Sequence, residues 1–402
     1  MRFMVLILIL KCGICFSQTG KDSLNKINLN QVFYANTLAT HPFGIFISRI
    51  NSNFQVKSSP RISVAINISN GNIWLPYVKA YLPLTEADKS AMRNIGWHER
   101  AYNYDTINTP SKTIGSLADG IIRLYQIKIV IPLSANQELK INTRMFSLDP
   151  GNSPYASLTS DKFIEWFHSN ISGGEDPFAR KAYGFNQAKI SYTDKNGRTF
   201  NVDNGDFIFS GIDLSYYRYP NFKPLENRNI YTNFGLQLGI NINSINPGLD
   251  FGFNPSIIKK INFKQGNELR FGVSLGALRH SVFQSGDHVQ LSNNMFLLSS
   301  EFLLGYVIPF KNNSYFSIAT TYYIQNSYNK RSDFDDMVLV GKRIKSHWHY
   351  AVSHLYRTIT ANNLILSYSK GAFAISVYAR EDLLVDNAPD VQTGIGMQMS
   401  FK

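Results

Sequence analysis

Three groups of residues in this chain have types and spacings that invite a chemical reading. In HWHYAVSH (347–354), His347 and His349 share one face if the segment is extended, and two imidazoles so placed can share a metal ion. No carboxylate or cysteine lies within the stretch to complete a ligand set. The competing reading is a solvated loop beside interfacial Trp348 and Tyr350, and no cofactor is expected. In EWFHSNISGG (165–174), His168 precedes Ser169, a base next to a nucleophile. Adjacent residues face opposite ways on a strand and diverge by about 100° on a helix, so the pair cannot act on one substrate atom. Ser160, Phe163, Ile164, Phe167 and Gly173 instead predict a short amphipathic helix, with Ser160 as its cap and Gly173 past its end. No catalytic residue is expected there, and lipid hydrolysis is the least favoured of the functions considered.

The third group is a set of charges on alternating segments. Lys128, Lys140, Arg144, Arg270 and Arg380 fall on polar faces, as do Asp213 and Glu301. If those faces line a lumen, its positive excess would favour anions. Side chains and folded-in loops can also fill such an interior, with the charges pairing across it.

The elements that carry these charges have a period of two. In IYTNFGLQLGININ (230–243), Phe234, Leu236, Leu238, Ile240 and Ile242 alternate with Asn233, Gly235, Gln237, Gly239 and Asn241. That is a β-strand with two unlike faces. Similar strands are predicted at 61–69, 124–133, 138–145, 206–217, 248–263, 269–277, 293–309, 313–326, 359–369, 372–381 and 393–402, about twelve with the first. Many run to ten residues or more, the ~9–11 that a membrane strand needs. The intervening segments alternate short and long: 132–137, 219–229, 264–267, 310–314 and 370–371 against 83–119, 148–204, 243–247, 282–292, 327–358 and 382–391. Segment 85–101 predicts a short helix, and Asn196-Gly197 predicts a hairpin tip. Aromatic residues, among them Tyr216, Tyr217, Tyr219, Phe222, Tyr306, Phe310 and Phe401, gather near the short turns, as at a membrane interface.

The pattern predicts an all-β fold: a transmembrane antiparallel up-and-down β-barrel of about twelve strands, with a range of 10–16 and with long extracellular loops. A soluble sandwich with short strands is the alternative. No apolar run approaches the ~18 residues of a membrane helix.

Residues 1–17 read as a signal peptide, with Arg2, an apolar run, and Cys15 and Ser17 before the cut. A lipoprotein reading fits poorly, because Ile14 and Lys11 precede the two cysteines. Both cysteines, Cys12 and Cys15, leave with the leader, which excludes a disulfide scaffold. Residues 18–60 are expected to be a periplasmic segment leading into the barrel, and 61–402 the barrel itself. Loss of Arg2 and Lys11 lowers the net charge from +12 to +10. The cations are scattered singly among the strands, so export and charge pattern together argue against nucleic acid as a partner. Expected partners are outer-membrane lipids and the barrel-assembly machinery, with small solutes if the lumen is open.

HPFGIF (41–46), VKSSPRISVAINISNGN (56–72), RLYQIKIVIPLSANQELKINTRMFSL (123–148) and DKFIEWFHSNISGGEDPFARKAYGFNQAKISY (161–192) resemble an uncharacterised group of Gram-negative outer-membrane barrel proteins. The resemblance spans roughly 40–220. It implies an outer-membrane barrel and carries no activity or catalytic residue. The functional expectation is a passive channel for small, preferentially anionic solutes. The alternative is a closed structural or surface-interaction barrel. Inward glycines such as Gly235, Gly239, Gly272 and Gly276 would leave room in the lumen, which tilts the reading toward the channel.

Overall fold

The computed structural model describes residues 43–97, 99–171, 184–263, 266–310, 313–339, 353, 355–381 and 391–401. Its strands, in chain order, are β1 (Ser63–Pro83), β2 (Ser111–Ser134), β3 (Gln137–Asp149), β4 (Lys189–Thr193), β5 (Thr199–Asp203), β6 (Phe207–Arg218), β7 (Ile230–Asn241) and β8 (Gly248–Asn262). They continue with β9 (Glu268–Gln284), β10 (Phe296–Phe310), β11 (Ser314–Gln325), β12 (Val338–Leu339), β13 (Ile359–Lys370), β14 (Phe373–Glu381) and β15 (Val391–Ser400). Twelve of them, all but β4, β5 and β12, pair antiparallel with their neighbours and close into a barrel. The seam is β1, which pairs with β15 from Ser63↔Ser400 and with β2 from Ser63↔Val130. Closure leaves no open edge for lipid to meet.

Every predicted barrel strand is present, because the period-two pattern separates two solvents. Outward residues such as Ile66, Leu236, Phe253, Val273, Leu304 and Val377 are exposed and apolar, Leu236 to 45%. Inward neighbours such as Asn67, Gln237, Asn254, Ser274 and Ser376 are buried and polar. A continuous exposed apolar belt is costly in water, so the wall spans a bilayer.

β1 and β2 run further than their alternation predicted. Their ladder continues to Pro83↔Ser111, across residues read as part of a loop. The inner face there changes from polar to apolar, with Ile73, Leu75, Val78, Ala80, Ile114, Ala118 and Ile122 buried, so both faces lose their contrast. β4 pairs with this extension of β2, and with β5 forms the predicted hairpin. Gly197, at its tip, has φ +80°. The Asp194 carboxylate fixes the turn by accepting from the Asn196 and Arg198 amides at 2.7 and 3.0 Å.

Four α-helices are described: α1 (Glu86–Arg93), α2 (Arg100–Asn103), α3 (Asp161–Asn170) and α4 (Lys223–Glu226). The predicted helix near 85 is α1, where the Thr85 hydroxyl accepts from the Asp88 amide. The predicted helix after Ser160 is α3, whose cap accepts from the Phe163 amide at 3.2 Å.

The barrel is closed at its long-connection end. Residues of β1, β2, β4, β5 and the connections pack into one apolar core with Phe43, Phe46, Ile47 and Ile50. Phe43 meets Tyr192 at 4.7 Å, and Phe46 meets Phe146 and Phe200 at 5.4 and 5.1 Å, all edge-on. Residues 43–60 precede β1. They start in this core, pass through the lumen to the short-turn end, and turn there into β1. Residues 1–42 lie outside the described residues.

Candidate functional site: an occupied lumen

The inner faces of β3, β6, β7, β8 and β9 present a nearly continuous polar surface, and residues 43–60 lie against it. Near the core, the Phe46 carbonyl accepts from the Asn246 side-chain amide at 3.1 Å. The Ser48 amide donates to Asp250 Oδ2 at 3.0 Å, and Arg144 Nη2 donates to the Ser48 hydroxyl at 3.1 Å. The Arg49 carbonyl accepts from Gln237 Nε2 at 2.7 Å, and the Asn51 carbonyl from the Tyr217 hydroxyl at 3.0 Å. Asn233 Nδ2 donates to the carbonyls of both Asn53 and Gln55, at 2.9 and 3.0 Å. Lys140 Nζ donates to Asn53 Oδ1 and Gln55 Oε1 at 2.9 and 3.0 Å. At the short-turn end, the Ser58 hydroxyl donates to the Ala135 carbonyl at 2.6 Å and the Ser59 amide to Glu138 Oε2 at 2.8 Å.

These bonds answer an obligation. A backbone with no strand partner, buried inside a barrel, needs acceptors and donors from the wall. Each bond contributes a net ~1 kcal/mol, while stranding a buried partner costs ~1–3 kcal/mol. The wall's amides, hydroxyls and carboxylates are therefore fastenings for the segment. Tyr217 and Tyr219 belong to them and not to an interfacial girdle, since both are buried in the lumen.

The inward glycines do not leave room in the lumen. A Cβ at Gly239 would overlap the Ser48 side chain, one at Gly272 would overlap the Phe54 ring, and one at Gly276 would lie 3.1 Å from the Ile50 Cβ. They form a groove for the segment.

All seven charges assigned to the lumen fall on inner-face positions, and the structure divides them. Lys140 pairs with Glu138 at 3.0 Å, and Lys128 on β2 is within their electrostatic reach. Arg144 pairs with Asp213 at 3.2 Å, beside Asp250. Arg270 stands apart near the short turns, paired with Glu268, whose other oxygen takes Lys260 at 2.5 Å. Arg380 has both Glu301 and Arg49 of the segment within electrostatic reach, and the Arg49 guanidinium lies 3.9 Å over the Tyr323 ring.

Glu138, Asp250 and Glu268 were missed, and they narrow the positive excess. The signal for two of them was in the spacing: Glu138 and Glu268 stand two residues before Lys140 and Arg270, hence on the same face.

His347 and His349 lie outside the described residues. Among the described residues, no three potential ligands cluster to hold a metal ion. On α3, the Ser169 hydroxyl donates to Glu165 at 3.3 Å, a contact within the helix. Asp161 anchors that helix to the wall, accepting from Asn72 Nδ2 at 2.9 Å and from the Asn186 amide at 2.8 Å.

No family model matches this chain, and no curated protein matches it. Among solved structures it is similar to an outer membrane channel from Pseudomonas putida F1, at TM-score 0.39 and 7% identity over 88% of this chain and 100% of that one. LpxR from Salmonella typhimurium gives 0.38 and 7%, covering 84% of this chain and 100% of its own. The transport unit of the autotransporter AIDA-I from Escherichia coli gives 0.35 and 9%, covering 85% and 91%. At such values the likeness goes no further than barrel architecture.

Proposed function

We propose that this protein is an outer-membrane barrel held shut by its own residues 43–60, a closed non-enzymatic scaffold whose capped end meets surface partners. Outer-membrane residence rests on the leader-like N-terminus together with the apolar belt, and insertion would then pass through the barrel-assembly machinery. The observation that carries the reading is the run of hydrogen bonds from Phe46 to Ser59, which ties a segment with no strand partner along the length of the lumen.

Refolded protein in a planar bilayer tests it. The full chain should stay silent. A Gly239→Val, Gly272→Val variant, whose new side chains overlap Ser48 and Phe54, should show conductance steps. Steady conductance of the unaltered chain would sink the proposal.

A second reading, passage of small anions, is favoured by the number of cations on the inner face along the segment's path, Lys128, Lys140, Arg144, Arg270 and Arg380 among them. It requires the segment to move aside. Under a salt gradient the double-valine variant should then give an anion-selective reversal potential, and a cation-selective one would remove this reading.

A further inference from the structure

The short-turn end of the wall carries charge that neither the lumen nor the segment within it uses. Arg218 at the end of β6, Lys223 in α4 and Arg228 just after it are exposed, and Lys259 on β8 is half-buried and faces outward. Register gathers them on one arc. Arg218 stands opposite Phe234 and Lys259 opposite Ile230, and the Lys259 ammonium donates to the Arg228 carbonyl. Across 218–230 and 257–263, Glu226 is the one carboxylate, and the further cation there, Lys260, is paired with Glu268.

The arc borders an exposed aromatic band of Phe222, Phe234, Phe253 and Phe263, in which Phe234 and Phe253 stack at 6.4 Å. The carboxylates Glu86, Asp88, Glu99, Asp105, Asp203 and Asp335 stand at the opposite end, beyond the other tips of the strands. Long cationic side chains at the edge of an apolar belt keep their stems in hydrocarbon and their heads at the headgroup level.

We infer that this arc binds the headgroups of anionic phospholipids in the leaflet on the short-turn side. Continuity fixes the occupant: lipid already covers the faces of β6, β7 and β8 on which Arg218, Phe234 and Lys259 lie. Each cation near a charged lipid surface contributes about fivefold in binding at moderate ionic strength, less as salt rises.

Native mass spectrometry of the full refolded chain in neutral detergent, titrated with phosphatidylglycerol or phosphatidylcholine, tests this. The unaltered protein should retain more phosphatidylglycerol than phosphatidylcholine, with the preference shrinking as salt is added. Combining Arg218→Gln, Lys223→Gln, Arg228→Gln and Lys259→Gln should lower phosphatidylglycerol binding by at least about tenfold. Lys112→Gln with Lys189→Gln, at the other end, should leave the preference intact. If the quadruple variant does not fold, Lys223→Gln with Arg228→Gln, both on an exposed turn, should still reduce the preference. The inference is overturned by no headgroup preference in the unaltered chain, by an unchanged preference in either arc variant, or by an equal loss in the opposite-end control.

Discussion

Asn233 holds two consecutive fastenings with one side chain, its amide donating to the carbonyls of Asn53 and Gln55. Asn233→Ala leaves both carbonyls without that donor in a site too tight for easy rehydration. A loss of ~1–3 kcal/mol is expected for a stranded buried partner, read from the urea midpoint of the refolded protein. An effect below a few tenths of a kcal/mol would mean that the segment is not bound there. The same logic changes the meaning of Gln237. As a residue on an open lumen it would tolerate replacement by Arg. As the donor to the Arg49 carbonyl, only 4% exposed, it does not. Single residues of this wall therefore report on the segment more than on solutes.

At the scale of the element, the two faces of β7 should respond differently in lipid. Leu236→Arg places a cation against hydrocarbon and should cost ~2–4 kcal/mol near mid-bilayer, read as lost folded yield in detergent-free vesicles. Leu236→Phe should be nearly neutral, and equal losses for both would reject the facing assignment.

The strands were legible because lipid and a polar interior impose opposite demands on alternate residues. β1 was under-read after residue 69 and β2 before residue 124, where an apolar core replaces the polar interior and the alternation fades. The segment 43–60 was illegible as an element, since it follows no period. Its order still has a cause: Phe43, Ile45, Phe46 and Ile47 lie in the apolar core, and the mostly polar stretch from Ser48 to Ser59 lies along the polar wall. The inward positions of Lys140, Arg144 and Arg270 were legible by parity. Their partners inside one barrel were not, because pairing depends on which strands the closure brings together and on what fills the space.

The whole molecule is a bilayer-spanning barrel whose interior is occupied and whose ends differ. One end is sealed by an apolar core. The other is rimmed by short turns with cations and aromatic side chains. The central claim is that residues 43–60 occupy the lumen of the folded protein in its own membrane. Ile50 and Gly276 test this most directly, since a Cβ at Gly276 would sit 3.1 Å from that of Ile50 and the two cysteines of the chain, Cys12 and Cys15, both fall within residues 1–17. In membranes carrying Ile50→Cys with Gly276→Cys, mild oxidation should close a disulfide. The loop it forms should make the denatured, unreduced chain migrate faster. A barrel that is folded yet forms no such bond, while either single cysteine remains reactive to a water-soluble maleimide, would contradict the account.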